Sequence, residues 1–296
     1  MTTPGATALP VETVSAAVTA LFVPGDRPDR YGKAYASGAD LVIVDLEDAV
    51  ATGDKAEARA AAVAALRPGA GSGVRALVRC NDVDSDWGRE DLLALRGLLG
   101  ERGHGLLGIM VPKVGRVEAL AEVVGVLAGN DRLAVIGLVE SAVGVVHARA
   151  LAAVPGVTRL AFGALDFAAD VAASPDAMTG QLARAEVVIA SRAAGLPAPL
   201  ESPSTELDAP DRVEATTRTA AELGFGVRLC IHPGQLDAVR AGFAPTAAEV
   251  AWAERVAGAG EAAARVDGQM VDRPVLGRAW RILRRSAEAG PAEGRR

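Results

Sequence analysis

The sequence predicts an α/β protein, a (β/α)8 TIM barrel with a C-terminal helical extension. Three observations carry that expectation. Short apolar runs rich in Val, Ile and Leu recur along the chain with helical segments between them, the alternation of a parallel sheet. Several runs stop on a charged residue, and in a barrel the C-terminal ends of the strands are where active sites sit. The chain is 296 residues long, half of it hydrophobic, with no strong shift of composition, so one large core is available. Residues 1–19 are accordingly expected to be a loose leader, 20–245 the barrel, and 246–296 a helical extension with a polar tail.

The elements follow in order. ALFVPG reads as a first strand running into a Pro-Gly turn, followed by a helix through Tyr31, Lys33 and Ala36 that stops at Gly38. LVIVDLED is a second strand, apolar until Asp45, Glu47 and Asp48. A helix over 55–66 and the link PGAGSG lead to the third strand, RALVRC, with Asn81 and Asp82 beyond it. That glycine-rich link precedes a strand instead of opening a helix, which argues against a dinucleotide fingerprint. LLGIMVPK and a helix over 117–127 form the fourth unit. The fifth and sixth runs, RLAVIGLVES and VTRLAFGALD, place Glu140 and Asp166 at their C-terminal ends. A helix over 181–194 ends at Gly195, and the weak strand APLESPS then decides whether the count reaches eight. A helix over 212–223 and the clear strand VRLCIHP complete the ring.

Beyond the barrel come a helix over 246–257 and the stretch DGQMVDRPVLGRAWRILRR. There Val275, Leu276, Ala279, Ile282 and Leu283 recur at helical spacing, giving one apolar face for the barrel or for a neighbouring subunit. Asp272, followed by Pro274, suits an ordinary helix start.

Composition removes several function classes. The net charge of -6 comes with no basic block or aromatic-basic interleaving, against a nucleic-acid partner. No run approaches the roughly 20 apolar residues of a membrane span, and the first nineteen residues lack the features of a signal peptide. A cytoplasmic protein is expected. Cys80 and Cys230 both fall in predicted strands and read as core thiols. No HExxH or Walker pattern and no Ser-His-Asp or Cys-His arrangement stands out.

Glu140 and Asp166 are the first site candidates. Two hard oxygen ligands with no His or Cys cluster suit Mg2+ better than zinc. Small neighbours, Ser141, Ala142, Gly163 and Ala164, leave room for a ligand. The bland alternative is a pair of acids satisfied by backbone or arginine. Arg79, at the end of the third strand, offers a planar fork for a carboxylate or α-keto acid. It equally suits a salt bridge to Asp45 or Glu47, and both hold if the acid orients the arginine. Asp45 and Glu47 are therefore grouped with Arg79 and Glu140 as the substrate-binding set. His232 ends the eighth strand, with a structural role and a ligand contact both open. His104 and His147 fit surface or packing roles.

The ordered succession LFVPG, KAYASGADLVIVDLEDAV, VRCN, VPK, VIGLVESAVGV, LAFGALDFAADV, AAELGF, CIHPGQ and MVDRPVLGRA resembles the citrate lyase beta-subunit family of CoA-ester lyases, over residues 20–283. The motif set is nearest the malyl- and citramalyl-CoA lyases. The resemblance implies a (β/α)8 barrel, trimeric or hexameric, in which Mg2+ promotes C–C cleavage or formation on citryl, malyl or citramalyl thioesters. It makes Glu140 and Asp166 the metal ligands and Arg79 the holder of the keto acid. It places Phe22, Lys33, Ile231 and His232 near CoA. It makes Asp272 the acid or base, supplied across a subunit interface. Thioester hydrolysis, synthesis of free malate on the same site, and a non-catalytic scaffold remain as alternatives. The chain departs from the family pattern at Val18-Thr19, at Cys80, at Pro199-Leu200-Glu201 and at Val227-Arg228. The last two put the half of the site expected from strands seven and eight in question.

Overall fold

The computed structural model describes residues 9–70, 73–127, 133–175, 177–259 and 264–288. It divides into two compact units, 1–239 and 240–296. The first is built around eight parallel strands: β1 (Thr19–Pro24), β2 (Leu41–Asp45), β3 (Ala76–Arg79), β4 (Leu106–Val111), β5 (Ala134–Val139), β6 (Arg159–Phe162), β7 (Leu200–Glu201) and β8 (Val227–Cys230). They close in sequence order, β1 pairing with β8, as the alternation predicted. Around them run α1 (Pro10–Ala16), α2 (Pro28–Tyr35), α3 (Lys55–Leu66), α4 (Asp86–Leu98), α5 (Val117–Val126), α6 (Ala142–Ala152), α7 (Ala164–Asp170), α8 (Met178–Ala193), α9 (Pro210–Leu223) and α10 (Leu236–Phe243), the last crossing into the second unit.

Strand alternation decides what fills the barrel. Ala20, Leu41, Ile43, Leu77, Ala134, Ile136, Leu138, Ala161, Leu200, Val227 and Leu229 share one apolar cluster in the lumen, with Phe22 packed against it. Residues two positions further along the same strands therefore emerge inward at the C-terminal mouth, because side chains repeat with period two. Asp45 follows Ile43, Arg79 follows Leu77, Glu140 follows Leu138 and Gly163 follows Ala161. One apolar lining thus aims four different strands at one place.

Three details of the expected outline take a definite form. The leader is not loose from Pro10 onward: α1 forms there, and Val14 and Ala17 join the lumen cluster at the strands' N-terminal ends. Arg159, buried at the start of β6, donates to the carbonyls of Ser15 at 3.0 Å and Ala17 at 3.3 Å, holding the C-terminal end of that helix. APLESPS contributes only Leu200 and Glu201 as strand, joined to β6 through a single paired position, Ala161 with Leu200. The two compact units divide at 239, inside α10.

The second unit contains α11 (Ala247–Gly258), the hairpin β9 (Ala264–Val266) and β10 (Gln269–Val271), and α12 (Arg273–Glu288). Asp267 and Gly268 turn the hairpin with φ of 51° and 82°, the left-handed pair that a two-residue type I′ loop requires. The apolar face predicted on the last helix is used within this unit: Leu276, Ala279 and Ile282 are buried with Ala253, Val256 and Val271. Among the described residues no helix is long and apolar enough to cross a membrane.

Candidate active site

Asp45 and Arg79 end neighbouring strands in direct register. Arg79 lays its fork on Asp45, Nε and Nη2 each donating at 2.7 Å, while Nη1 lies 3.0 Å from Glu47. Its guanidinium also sits over the Phe22 ring, 4.8 Å from the centroid. Burial works against this cation, but the bond to Asp45 and the charges of Asp45, Glu47 and Asp48 outweigh it and hold its pKa above the usual value. The salt bridge weighed in the sequence is therefore present, and it orients the arginine.

Glu47 is buried just beyond β2, and Lys55 fixes its loop by donating to the carbonyls of Leu46 and Glu47, both at 3.0 Å. Burial raises the Glu47 pKa, against the opposing pull of Arg79 and Lys113. Lys113, which the sequence reading passed over, follows β4 with φ of 51°, a left-handed conformation that costs a residue with a Cβ. Its ammonium pairs with Glu47, and its backbone N–H donates to Glu140 Oε1 at 2.7 Å. A signal was available, since VPK ends a strand on a charge as the other site strands do.

Glu140 is buried directly after β5. Its carboxyl is pushed up to about 8, first by burial, then by the facing charge of Glu47, with Asp166 adding to it and the Lys113 N–H opposing. Asp166 does not end a strand as predicted. β6 stops at Phe162, and Asp166 lies in the first turn of α7, exposed, where an acid also suits the helix N-terminus. Gly163 makes the approach possible: a Cβ there would lie 2.5 Å from Glu140 Oε2.

This donor set fits Mg2+. Among the described residues no group of three or more His, Cys, Asp or Glu side chains converges. A pair of carboxylates, one buried and one exposed, matches an ion that keeps several waters and takes further oxygens from substrate. The charge balance points the same way: even without Glu140, Asp45, Glu47, Asp48 and Asp166 are served by the cations Arg79 and Lys113, an excess of acid that an anionic substrate alone would worsen.

The other candidates lie around this mouth or apart from it. Phe22 is half-buried beneath Arg79. Lys33 is exposed on α2, and Ile231 and His232 are exposed just after β8, on the side where β8 meets β1. His232 Nδ1 accepts from the Gly234 N–H at 3.1 Å, so its ring caps a local turn. Asp272 belongs to the second unit, is exposed, and accepts from the Val275 N–H at 3.1 Å, serving as the helix start the sequence indicated. Glu201 and Arg228 follow the inward-facing Leu200 and Val227, so both turn away from the lumen. Glu201 pairs with Arg184 of α8 at 3.0 Å, and Arg228 donates to Thr216 and Thr217 of α9 at 2.9 and 2.8 Å. The departures at strands seven and eight therefore lie behind the barrel wall. Cys80 and Cys230 are both buried, as expected of core thiols, and burial pushes the Cys80 thiol well up.

A closed barrel with an arginine and converging carboxylates at its mouth is the arrangement of an aldolase-type enzyme. The sequence profile of HpcH/HpaI aldolase/citrate lyase matches residues 19–233. A citrate lyase subunit beta-like protein of Mycobacterium tuberculosis is 36% identical over 279 residues, covering 91% of this chain and 95% of that protein. A (3S)-malyl-CoA thioesterase of Cereibacter sphaeroides is 31% identical over 261 residues, 85% of this chain and 88% of that one. The crystal structure of CitE from Mycobacterium tuberculosis in complex with magnesium, acetoacetate and coenzyme A matches with a TM-score of 0.79 at 32% identity, covering 92% of this chain and 99% of the other. The chain belongs to the HpcH/HpaI aldolase/citrate lyase family, which makes it an enzyme of the carbon–carbon lyase class.

Proposed function

We propose that the protein is a Mg2+-dependent CoA-ester lyase. It cleaves, or in reverse forms, a 3-hydroxyacyl-CoA thioester such as malyl-, citramalyl- or citryl-CoA, giving acetyl-CoA or a related acyl-CoA and an α-keto acid. The observation that carries this reading is the approach of Glu140 and Asp166 across Gly163, beside an arginine held ready by Asp45. Glu140 and Asp166 would hold Mg2+, which when bound supplies Lewis acidity and orientation at the hydroxy-carboxylate end of the substrate. Arg79, oriented by Asp45, would neutralise the carboxylate of the keto acid. Phe22 forms the apolar floor under that arginine, and Lys33, Ile231 and His232 border the side where CoA lies.

In cleavage, a base takes the proton of the substrate hydroxyl, the C–C bond breaks to the keto acid, and the electron pair passes to the acyl thioester as its enolate. Asp272, in its protonated form, gives its proton to that enolate carbon, and in the reverse condensation its carboxylate takes the same proton back. A neighbouring copy supplies Asp272, so the working form is a trimer or hexamer. The carboxylate's exposure in a separate unit supports that arrangement.

The test is an assay on malyl-, citramalyl- and citryl-CoA with and without Mg2+, quantifying acetyl-CoA, free CoA and keto acid together, with Glu140→Ala as control. Matched acetyl-CoA and keto acid that vanish in the control support the lyase and name its substrate. The similarity to a malyl-CoA thioesterase favours one second reading, hydrolysis on the same site. Free CoA without acetyl-CoA would establish that reading and overturn the first.

A further inference from the structure

The thinnest seam of the barrel lies beside a proposed metal ligand. β6 and β7 share one paired position, Ala161 with Leu200, whereas β5 and β6 share four. Directly above the seam stands Ser202, 5% exposed and the first residue after β7. Its hydroxyl donates to the Phe162 carbonyl at 2.7 Å and accepts from the Ala164 N–H at 2.7 Å. Phe162 is the last residue of β6 and Ala164 the first of α7, so one side chain bridges both ends of the turn at Gly163. That helix receives no side-chain hydrogen bond from its own N-cap, Gly163, and Ser202 satisfies from another strand one of the N–H groups that a helix start leaves unpaired.

Ser202 is itself held on both sides. Its N–H donates to Glu201 Oε1 at 2.8 Å, and Glu201 is fixed by Arg184. Its carbonyl accepts from Arg228 Nε at 3.2 Å, while the other end of that guanidinium is anchored on Thr216 and Thr217. Burial lowers the Arg228 pKa against the opposing charge of Glu201, and the guanidinium donates three hydrogen bonds, to the Ser202 carbonyl and the hydroxyls of Thr216 and Thr217. Two of the four places where the sequence departs from its family pattern, at Glu201 and Arg228, thus meet on the backbone of Ser202.

We infer that Ser202 is a positioning residue for Mg2+: with Glu201 and Arg228 behind it, it fixes the Gly163 turn and so sets the placement of Asp166 against Glu140. The inference rests on the proposed Mg2+ site. It goes further by assigning a function to residues that contact neither metal nor substrate.

The test uses the full-length protein with Mn2+ as a paramagnetic probe, its binding followed by water proton relaxation. Ser202→Ala should weaken Mn2+ affinity about tenfold or more, since both buried hydrogen bonds that hold the Gly163 turn are lost. The Mg2+ concentration for half-maximal turnover should rise in proportion, with turnover at saturating Mg2+ kept within about threefold. Ser191→Ala removes a similarly buried hydroxyl on α8, bonded to the Val187 carbonyl at 2.8 Å, and controls for general destabilisation. It should leave Mn2+ affinity unchanged. Arg228→Lys keeps the charge but loses the three-point bridge, and should give a smaller weakening if Ser202→Ala does not fold. Native Mn2+ affinity in folded Ser202→Ala, in Arg228→Lys when only that variant folds, or equal weakening in Ser191→Ala, overturns the inference. Glu140→Gln separates the two levels: if it binds Mn2+ as the native chain does, the metal site itself is wrong, and if it alone loses Mn2+, only the role of Ser202 is.

Discussion

Arg79→Met tests the centre of the site most directly. Asp45 and Glu47 are 2% and 5% exposed, so neither regains bulk water when the guanidinium is removed. Breaking one partner out of a buried ion pair costs about 3–5 kcal/mol, because the remaining charge stays desolvated. Here Lys113 still neutralises Glu47, and Asp45 keeps the N–H groups of Glu47 at 3.0 Å and Ala49 at 3.1 Å. The expected loss is therefore at the lower end, about 3 kcal/mol. Asp45→Asn added to the same chain removes the orphaned charge and should recover about 1–2 kcal/mol, a coupling of the size found between residues in contact. Urea unfolding of the four proteins of this cycle in EDTA, followed by far-UV circular dichroism, measures both quantities. A loss below about 1 kcal/mol for Arg79→Met, the size of an exposed pair, or strict additivity in the double variant, would refute the view that Asp45 and Arg79 act as one buried unit.

Gly163→Ala puts a methyl 2.5 Å from Glu140 Oε2 and should abolish Mn2+ binding, read by relaxation, with the far-UV spectrum retained. With the Glu140 carboxyl at about 8, Mg2+ must displace a proton below that pH, so affinity should climb from pH 6 to 8 and then level, with proton release seen by calorimetry in two buffers. Stability of the metal-free protein has the opposite sign: the native state keeps a proton that the unfolded chain, with its carboxyl near 4.5, has given up. Denaturation midpoints in EDTA should therefore fall as pH rises from 4.5 to 8. Lys113→Gly should be more stable than Lys113→Ala by about 1 kcal/mol, because glycine accepts the left-handed φ and both variants lose the ammonium equally; thermal midpoints decide this. Asp272→Asn should lower turnover by roughly 10² to 10⁴ while Mn2+ affinity stays native.

The ring of eight strands was legible because buried parallel strands are continuous apolar runs, and charges at their ends marked the mouth. Asp45, Arg79 and Glu140 were found for that reason. Asp166 was misplaced, lying four residues past the end of β6, since a short strand running through Gly-Ala into a helix keeps its apolar character across the change. Glu201 and Arg228 were read as possible gaps in the site because they depart from the family pattern, and a departure alone does not tell which face of the barrel wall a side chain takes. α1 was missed as a helix: seven residues with one fully buried side chain carry little periodicity, and its partner Arg159 is distant in sequence. The hairpin turn at Asp267-Gly268 was readable from the dipeptide alone and was left unassigned.

The plug formed by α1 means that the repeating units do not seal themselves. A fusion joined ahead of residue 9 leaves the lumen dry, whereas trimming through Ala17 would open Ala20, Leu41 and Ala134 to solvent from below and strip Arg159 of two of its carbonyls. Water admitted there would hydrate the base of the strands whose tips carry Asp45 and Glu140. For anyone engineering this barrel, the segment ahead of the first strand is part of the core and should travel with it.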